Sequence, residues 1–393
     1  MKGPENSKRL QVLVIALFGI GLFLVMLYGI PLVMTTTYEA QAVKGSDNKD
    51  EVKVEEVPKA THLETPDQVK AVYMTSWVAG TPSLRANIIN LIESTELNSV
   101  VIDIKDDTGK VSFAIQNPEL QSYGSEEVRI QDLRGLLEQL HAKDIYVIGR
   151  IASFQDPHMV KMRPELAVKR ASDGAVWRDR KGLTWIDAGA EEHWKYLTLL
   201  AKESYEAGFD EIQFDYIRFP SDGNMQDISF PYSENLVKHE VIKKFYAYIH
   251  KELKDTGMKL SADLFGMTTT NYDDLGIGQV IEDAFPYFDY ISPMVYPSHY
   301  PSGFFGHKNV NAVPYEIIKI AMQGAQDRLK LYNDTVASTT VEMRPWLQDN
   351  DYPVPYTADM VRAQIQATYD VGIDSWMLWD AGNTYTRAAL KEE

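Results

Sequence analysis

The chain has 393 residues, a formal charge of −17 and no cysteine. The acidic balance argues against nucleic acid as a partner, since phosphate binding needs a positive face. Without cysteine there are no disulfides, no thiolate catalysis and no Cys-ligated zinc.

Residues 10–34 carry no charge and are dominated by Leu, Val, Ile, Phe and Met. About 20 apolar residues cross a bilayer core, so the run is long enough to span. Lys2, Lys8 and Arg9 precede it, and Glu39, Asp47 and Asp50 follow. The positive-inside rule then puts the N-terminus in the cytoplasm and the remainder on the extracytoplasmic side of the cell membrane, held by a single pass. The alternative is secretion after signal cleavage, with Ala40-Gln41-Ala42 as the small-residue site; the apolar run is longer than such signals usually are. Residues 1–42 are thus expected to be a cytoplasmic tip and membrane anchor. Residues 43–69, rich in Lys, Glu, Asp and Thr, are expected to be an acidic spacer unable to bury enough surface to fold.

From residue 70 onward, apolar runs alternate with amphipathic stretches. The expected strands are Val72–Trp77, Ser99–Ile104, Ile145–Ile151, Glu211–Tyr216, Lys259–Leu264, Tyr290–Tyr296, Thr339–Trp346 and Ser375–Trp379, with the Val, Ile, Tyr and Phe content of buried parallel strands. Between them helical periodicity predicts Ser83–Leu97 with Ser83 as its cap, Asp132–Lys143, Glu191–Ala207 ending at Gly208, Asn235–Thr256 ending at Gly257, Ile277–Ala284, Pro314–Leu331 and Thr357–Val371. An open doubly wound sheet would also alternate. Eight regular units in this length favour closure into one α/β domain, a (β/α)8 TIM barrel over residues 70–393.

The active site of such a barrel is built from the C-terminal ends of its strands. Here those ends supply Asp103, Lys105 and Asp106, then Arg150, then Asp215 with Arg218 beyond, then Asp263, Tyr296 and His299, then Arg344, Trp346 and Gln348, and finally Trp379 and Asp380. Paired carboxylates on neighbouring strands are what glycoside hydrolysis requires, and close spacing favours the retaining route. Asp215 and Asp263 are the expected catalytic pair, with Asp215 the nucleophile or base and Asp263 the acid. Asp103, Lys105, Arg150, Arg218, Tyr296, His299, Trp346, Gln348, Trp379 and Asp380 are expected to bind substrate. Trp77, Trp346 and Trp379 are expected at the rim, as flat surfaces for sugar rings, whereas Trp185 and Trp194 are expected to pack. Arg150 and Arg218 either hold a carboxylate in place or meet an anionic group on the glycan. Asp187, just before the Glu191 helix, is expected to cap it.

The run Gly208–Pro220 resembles the strand-four signature of barrel glycosidases. Against the family 18 chitinase run D-G-x-D-x-D-x-E-Y-P, Asp215 matches the third Asp, Gln213 replaces the second, and Ile217 stands where the catalytic Glu would be. A chitinase mechanism is therefore not implied. The strings Phe214–Pro220, Ser292–Tyr300, Arg344–Gln348 and Trp376–Asp380 are similar to those of a bacterial glycosyl hydrolase domain family of membrane-anchored, glycosidase-like TIM barrels. That resemblance implies a glycoside hydrolase acting on an extracellular or cell-surface glycan. The strand-four Asp and strand-five acid also look like the α-amylase arrangement, with Asp263 in place of that class's Glu. The alternative is a non-catalytic glycan-binding or scaffold protein on a degenerate barrel, because fold does not fix function. No cofactor or metal is expected: the eight histidines form no H-x-H, H-x-x-H or H-E-x-x-H pair, and there is no G-x-S-x-G elbow or phosphate loop.

Overall fold

The computed structural model describes residues 60–392. The expected anchor over residues 1–42 lies outside the described residues; among those described, no helix is long and apolar enough to cross a membrane. Residues 60–69, expected to belong to the spacer, are held on the barrel instead. Leu63 donates its amide to Asp210 Oδ1 (2.8 Å), Thr65 Oγ1 meets Tyr146 Oη (3.0 Å), and His62 stacks on Tyr205 at 4.0 Å.

The parallel strands are β1 (Lys70–Met74), β2 (Ser99–Lys105), β3 (Tyr146–Ala152), β4 (Glu211–Asp215), β5 (Lys259–Phe265), β6 (Tyr290–Met294), β7 (Glu342–Met343), β8 (Trp346–Gln348) and β9 (Trp376–Trp379). β5 pairs with both β4 and β6, and β1 with both β2 and β9, so the sheet closes. The segments β7 and β8 share the seventh of eight barrel positions, interrupted at Arg344-Pro345, where proline cannot donate to the ladder. The first strand ends at Met74 and not at Trp77, because Thr75 Oγ1 accepts the Val78 amide (3.2 Å) and starts a short helix, Ser76–Gly80.

The longer helices are α1 (Pro82–Glu93), α2 (Leu133–His141), α3 (Glu191–Ala207), α4 (Lys238–Leu253), α5 (Pro314–Thr335) and α6 (Ala358–Tyr369). Each buries one stripe, as Leu133, Leu136, Leu137 and Leu140 do in α2. Asp132 and Thr357 cap α2 and α6 through their side chains. Ser83 does not cap α1, which starts one residue earlier with Pro82 in the first turn. Asp187 does not cap α3. Its carboxylate instead takes the amides of Gly189 (3.0 Å) and Tyr232 (2.7 Å), tying the β3–α3 connection to the loop after β4.

Two cores result. One lies between strands and helices. The other fills the lumen with Val69, Ala71, Tyr73, Val101, Tyr146, Ile148, Tyr296, Trp346 and Met377. Strand alternation points Glu211, Gln213 and Asp215 of β4 into that lumen at three successive heights. At the lowest, Glu211 is fully buried against Arg344 Nη1 (2.9 and 3.0 Å), Ser261 Oγ (2.5 Å) and Tyr146 Oη (3.2 Å). In the middle Gln213 Nε2 faces Ser292 Oγ (3.4 Å). Asp215 is at the top, where the filled lumen gives way to a cavity.

Candidate active site

The cavity, about 510 Å³, opens at the C-terminal ends of the strands. Its lining includes Arg150, Asp215, Tyr216, Arg218, Asp263 and Phe265 on one side, and Met294, Tyr296, His299, Trp346 and Trp379 on the other.

Arg150 organises its floor. From β3 it donates Nη1 to Asp103 Oδ1 (2.6 Å), and both Nε (3.1 Å) and Nη2 (2.6 Å) to Asp215 Oδ2. The same Nε lies 3.9 Å from Asp263 Oδ2. Because both Oδ2 atoms neighbour one nitrogen, the catalytic candidates lie no more than about 7 Å apart, which excludes only the wider part of the range for inverting pairs.

The two carboxylates differ in surroundings. Asp215 Oδ1 accepts the Tyr216 amide (2.6 Å) while Oδ2 faces the guanidinium, so both its oxygens meet donors suited to a carboxylate. Asp263 is buried at 1% exposure and, among the described residues, its carboxyl has one hydrogen bond, from Trp346 Nε1 to Oδ1 (2.7 Å). Burial first, and the neighbouring Asp215 charge second, push the Asp263 carboxyl well above the usual carboxylate range. The site therefore sets a carboxyl group met by donors on both oxygens beside one that holds its proton more tightly than usual.

Below them, Asp103 is buried between Arg150 and the Tyr73 hydroxyl, which donates to Oδ2 at 2.5 Å; burial raises its pKa too. Asp103 supports Arg150 from outside the cavity lining. Trp379 stacks on Tyr73 (4.3 Å, 24°) and meets Trp346 edge-on at 5.7 Å. Trp379 is partly exposed, whereas Trp346 is 1% exposed. Trp346 is thus part of the floor and a donor to Asp263, and not the rim platform that its place at a strand end suggested.

Other expected site residues lie elsewhere. Lys105 is fully buried, donating to the Ala152 carbonyl (2.5 Å) and pairing with Asp156 (2.9 Å). The β2–β3 register shifts between Asp103 and Lys105, and that irregularity turns Lys105 away from the lumen. Gln348 joins loops: its Nε2 donates to the carbonyls of Asn350 (3.1 Å) and Tyr352 (2.6 Å), and its Oε1 accepts the Ser298 amide. Asp380 accepts the Gly382 amide outside the cavity. Trp77 is 60% exposed and stands beside Arg129 (4.7 Å), also away from the cavity. Trp194 packs in the outer core as expected.

Residue-by-residue reading passed over Tyr216, Phe265, Gly266, Met294 and Tyr300. Tyr216 has φ +52°, a left-handed conformation that costs a non-glycine residue about 1–2 kcal/mol. It ends β4 and aims its amide at Asp215. Gly266 is required by close approach: a Cβ there would lie 2.4 Å from the Met294 carbonyl oxygen. For Tyr216, Phe265 and Gly266 the signal available was closeness to Asp215 and Asp263 in sequence; Met294 and Tyr300 lie inside the Ser292–Tyr300 string.

A family model for the "Putative glycosyl hydrolase domain" matches residues 71–385. Among solved structures, a hypothetical protein from Ruminiclostridium thermocellum ATCC 27405 is 38% identical, with 52% of this chain and 98% of that chain covered and a TM-score of 0.45. The glycoside hydrolase domain of PgaB (BpsB) from Bordetella bronchiseptica has a TM-score of 0.57 at 11% identity, covering 80% of this chain and 94% of its own. The alpha-galactosidase TtGalA from Thermus thermophilus has a TM-score of 0.50 at 11% identity, covering 82% and 60%. At that identity the last two show likeness of fold alone. No curated protein sequence matches the chain.

Proposed function

The chain belongs to the "Putative glycosyl hydrolase domain" family, and from that premise we propose that its barrel cleaves glycosidic bonds by paired-carboxylate catalysis. One observation carries the reading: Asp215 and Asp263 both face Arg150 at the mouth of the barrel, Asp215 with donors on both oxygens and Asp263 with its pKa raised by burial and the Asp215 charge. Asp263 gives its proton to the leaving glycosidic oxygen. Asp215 attacks the anomeric carbon, and water, deprotonated by the Asp263 carboxylate, releases the glycosyl ester with net retention. The enclosed floor and the partly exposed Trp379 support a sugar-sized ligand in the cavity. The test is a screen of the full chain against aryl glycosides and cell-wall polymers, with the anomer first released read by NMR. Net inversion would remove Asp215 as nucleophile and leave it the base.

We further place the barrel on the extracytoplasmic face, acting on a cell-surface or extracellular glycan. The uncharged run over residues 10–34 and its basic flank support this. Protease added to intact cells should digest the barrel; full protection would put it in the cytoplasm.

A further inference from the structure

Arg218 is a cation that the proposed mechanism does not use. It lies just beyond β4, lines the cavity and is 9% exposed. Unlike Arg150, it has no carboxylate within ion-pair distance among the described residues. Nη1 donates to the Phe219 carbonyl (3.0 Å) and Ser221 Oγ (3.3 Å). Nε and Nη2 have no partner among the described residues, and neither is cut off from solvent.

Three aromatic rings surround it. The guanidinium carbon lies 4.6 Å from the centre of the Trp185 ring, 4.8 Å from Phe265 and 5.6 Å from Tyr216. Such stacking weakly stabilises the cation and leaves its edge free. Trp185 itself is buried at 1% exposure, and its Nε1 donates to Asp179 (3.3 Å). The clamp is therefore rigid, and desolvation works against the charge it holds. A buried, unpaired charge is costly unless something pairs with it. Here the available edge, Nε–H beside Nη2–H, is the side-on fork that matches the two oxygens of a carboxylate.

We propose that Arg218 binds a carboxylate on the sugar, and that the preferred substrates are glycans containing uronic acids or other carboxylated sugars. This rests on the glycosidase reading of the cavity and narrows it to a substrate class. It also gives the acidic chain a local reason to hold a cation at the mouth: the anionic ligand must be drawn into a protein of net charge −17.

The experiment compares full-length wild type with Arg218→Met, which keeps an unbranched apolar stem among the three rings, and with Arg218→Lys, which keeps charge but not the fork. Folding of each is checked by thermal unfolding. Substrates are matched 4-nitrophenyl pairs: glucoside with glucuronide, and galactoside with galacturonide. Wild type should favour the acidic member by about 100-fold in kcat/KM, Arg218→Met should bring the ratio near one, and Arg218→Lys should fall between. Equal use of the neutral member, or a ratio unmoved in Arg218→Met, overturns this inference and leaves the hydrolase standing. Ligand-observed NMR with free glucuronate, galacturonate and glucose 6-sulfate provides the arm that does not need turnover. Uronate binding lost in Arg218→Met supports the site even where no glycoside is cleaved, which would instead count against the hydrolase. Tighter binding of the sulfate ester overturns the carboxylate assignment. Binding of no uronate, together with no cleavage, overturns both.

Discussion

The lumen holds two arginine–carboxylate clusters, stacked along one barrel axis and built from similar parts. In the lower, Arg344 and Glu211 are both at zero exposure, with Ser261 and Tyr146 on the carboxylate and the Tyr290 ring 3.7 Å beneath the guanidinium. In the upper, Arg150 gathers Asp103, Asp215 and Asp263 where the cavity begins. Below, charges balance and the surroundings close over them. Above, one cation meets three carboxyl groups, and burial raises the pKa of two of them, Asp103 and Asp263. Residue type alone does not distinguish the two clusters; the cavity that opens on the upper one does.

That contrast can be broken most directly by neutralising one carboxylate in each cluster. Asp215→Asn should lower turnover by ~10³–10⁵-fold with little change in KM, while Asp103 remains on Arg150 and the fold is kept. Glu211→Gln should do the reverse. It strands Arg344 in the lumen and should cost about 3–5 kcal/mol of stability in denaturant unfolding, with near-normal kcat in the molecules that fold. If Glu211→Gln proved the inactive but stable variant, the two clusters would have to exchange roles.

A second comparison lies within the upper cluster. A carboxyl whose folded pKa is raised contributes stability that is complete below its unfolded value, ~3.9, and lost as pH rises toward the folded value. Asp263 is such a group. Asp263→Asn, neutral at every pH, should therefore be more stable than wild type at pH 7 and should flatten the decline in melting temperature above about pH 4. It should also lose turnover. A variant less stable than wild type at pH 7 would show that the Asp263 charge is compensated in the folded state.

The two cavity tryptophans differ in the same way, and Trp379 gives the smallest effect of all. Trp379→Ala should weaken glycan binding about 3–10-fold with a modest stability change, by loss of a partly exposed ring. Trp346→Ala should instead cost about 3–5 kcal/mol of stability, as a buried aromatic leaving a cavity does. Equal melting temperatures for the two variants would contradict the burial difference.

Much of this arrangement was legible in the sequence, for a physical reason. Alternation in Glu211–Asp215 puts three polar side chains on one face, and the barrel rule places the last of them at the mouth; Asp215 and Asp263 do meet there. The same rule failed for Lys105, because a register shift after Asp103 breaks the period-2 pattern and no residue type announces it. It failed for Gln348 because a strand end can serve the loops above it as readily as a ligand. Trp346 was found but misread. Its place at a strand end gave no sign that its indole N–H points at Asp263 and its ring is enclosed.

The split at Arg344-Pro345 has a mechanical meaning. A closed barrel has no edge from which to unzip, so its weakest seam decides where it breathes. At the seventh position the strand is split into a pair of residues and a triplet; the Arg344 amide still donates to the Ile291 carbonyl and the Pro345 carbonyl still accepts the Met377 amide, so the proline nitrogen is the one donor the ladder lacks there. Amide exchange should be fastest there among the barrel strands. The indole that bonds Asp263 sits on the triplet, so each opening of the seam would loosen Asp263 while Asp215, on the unbroken β4, stays in place.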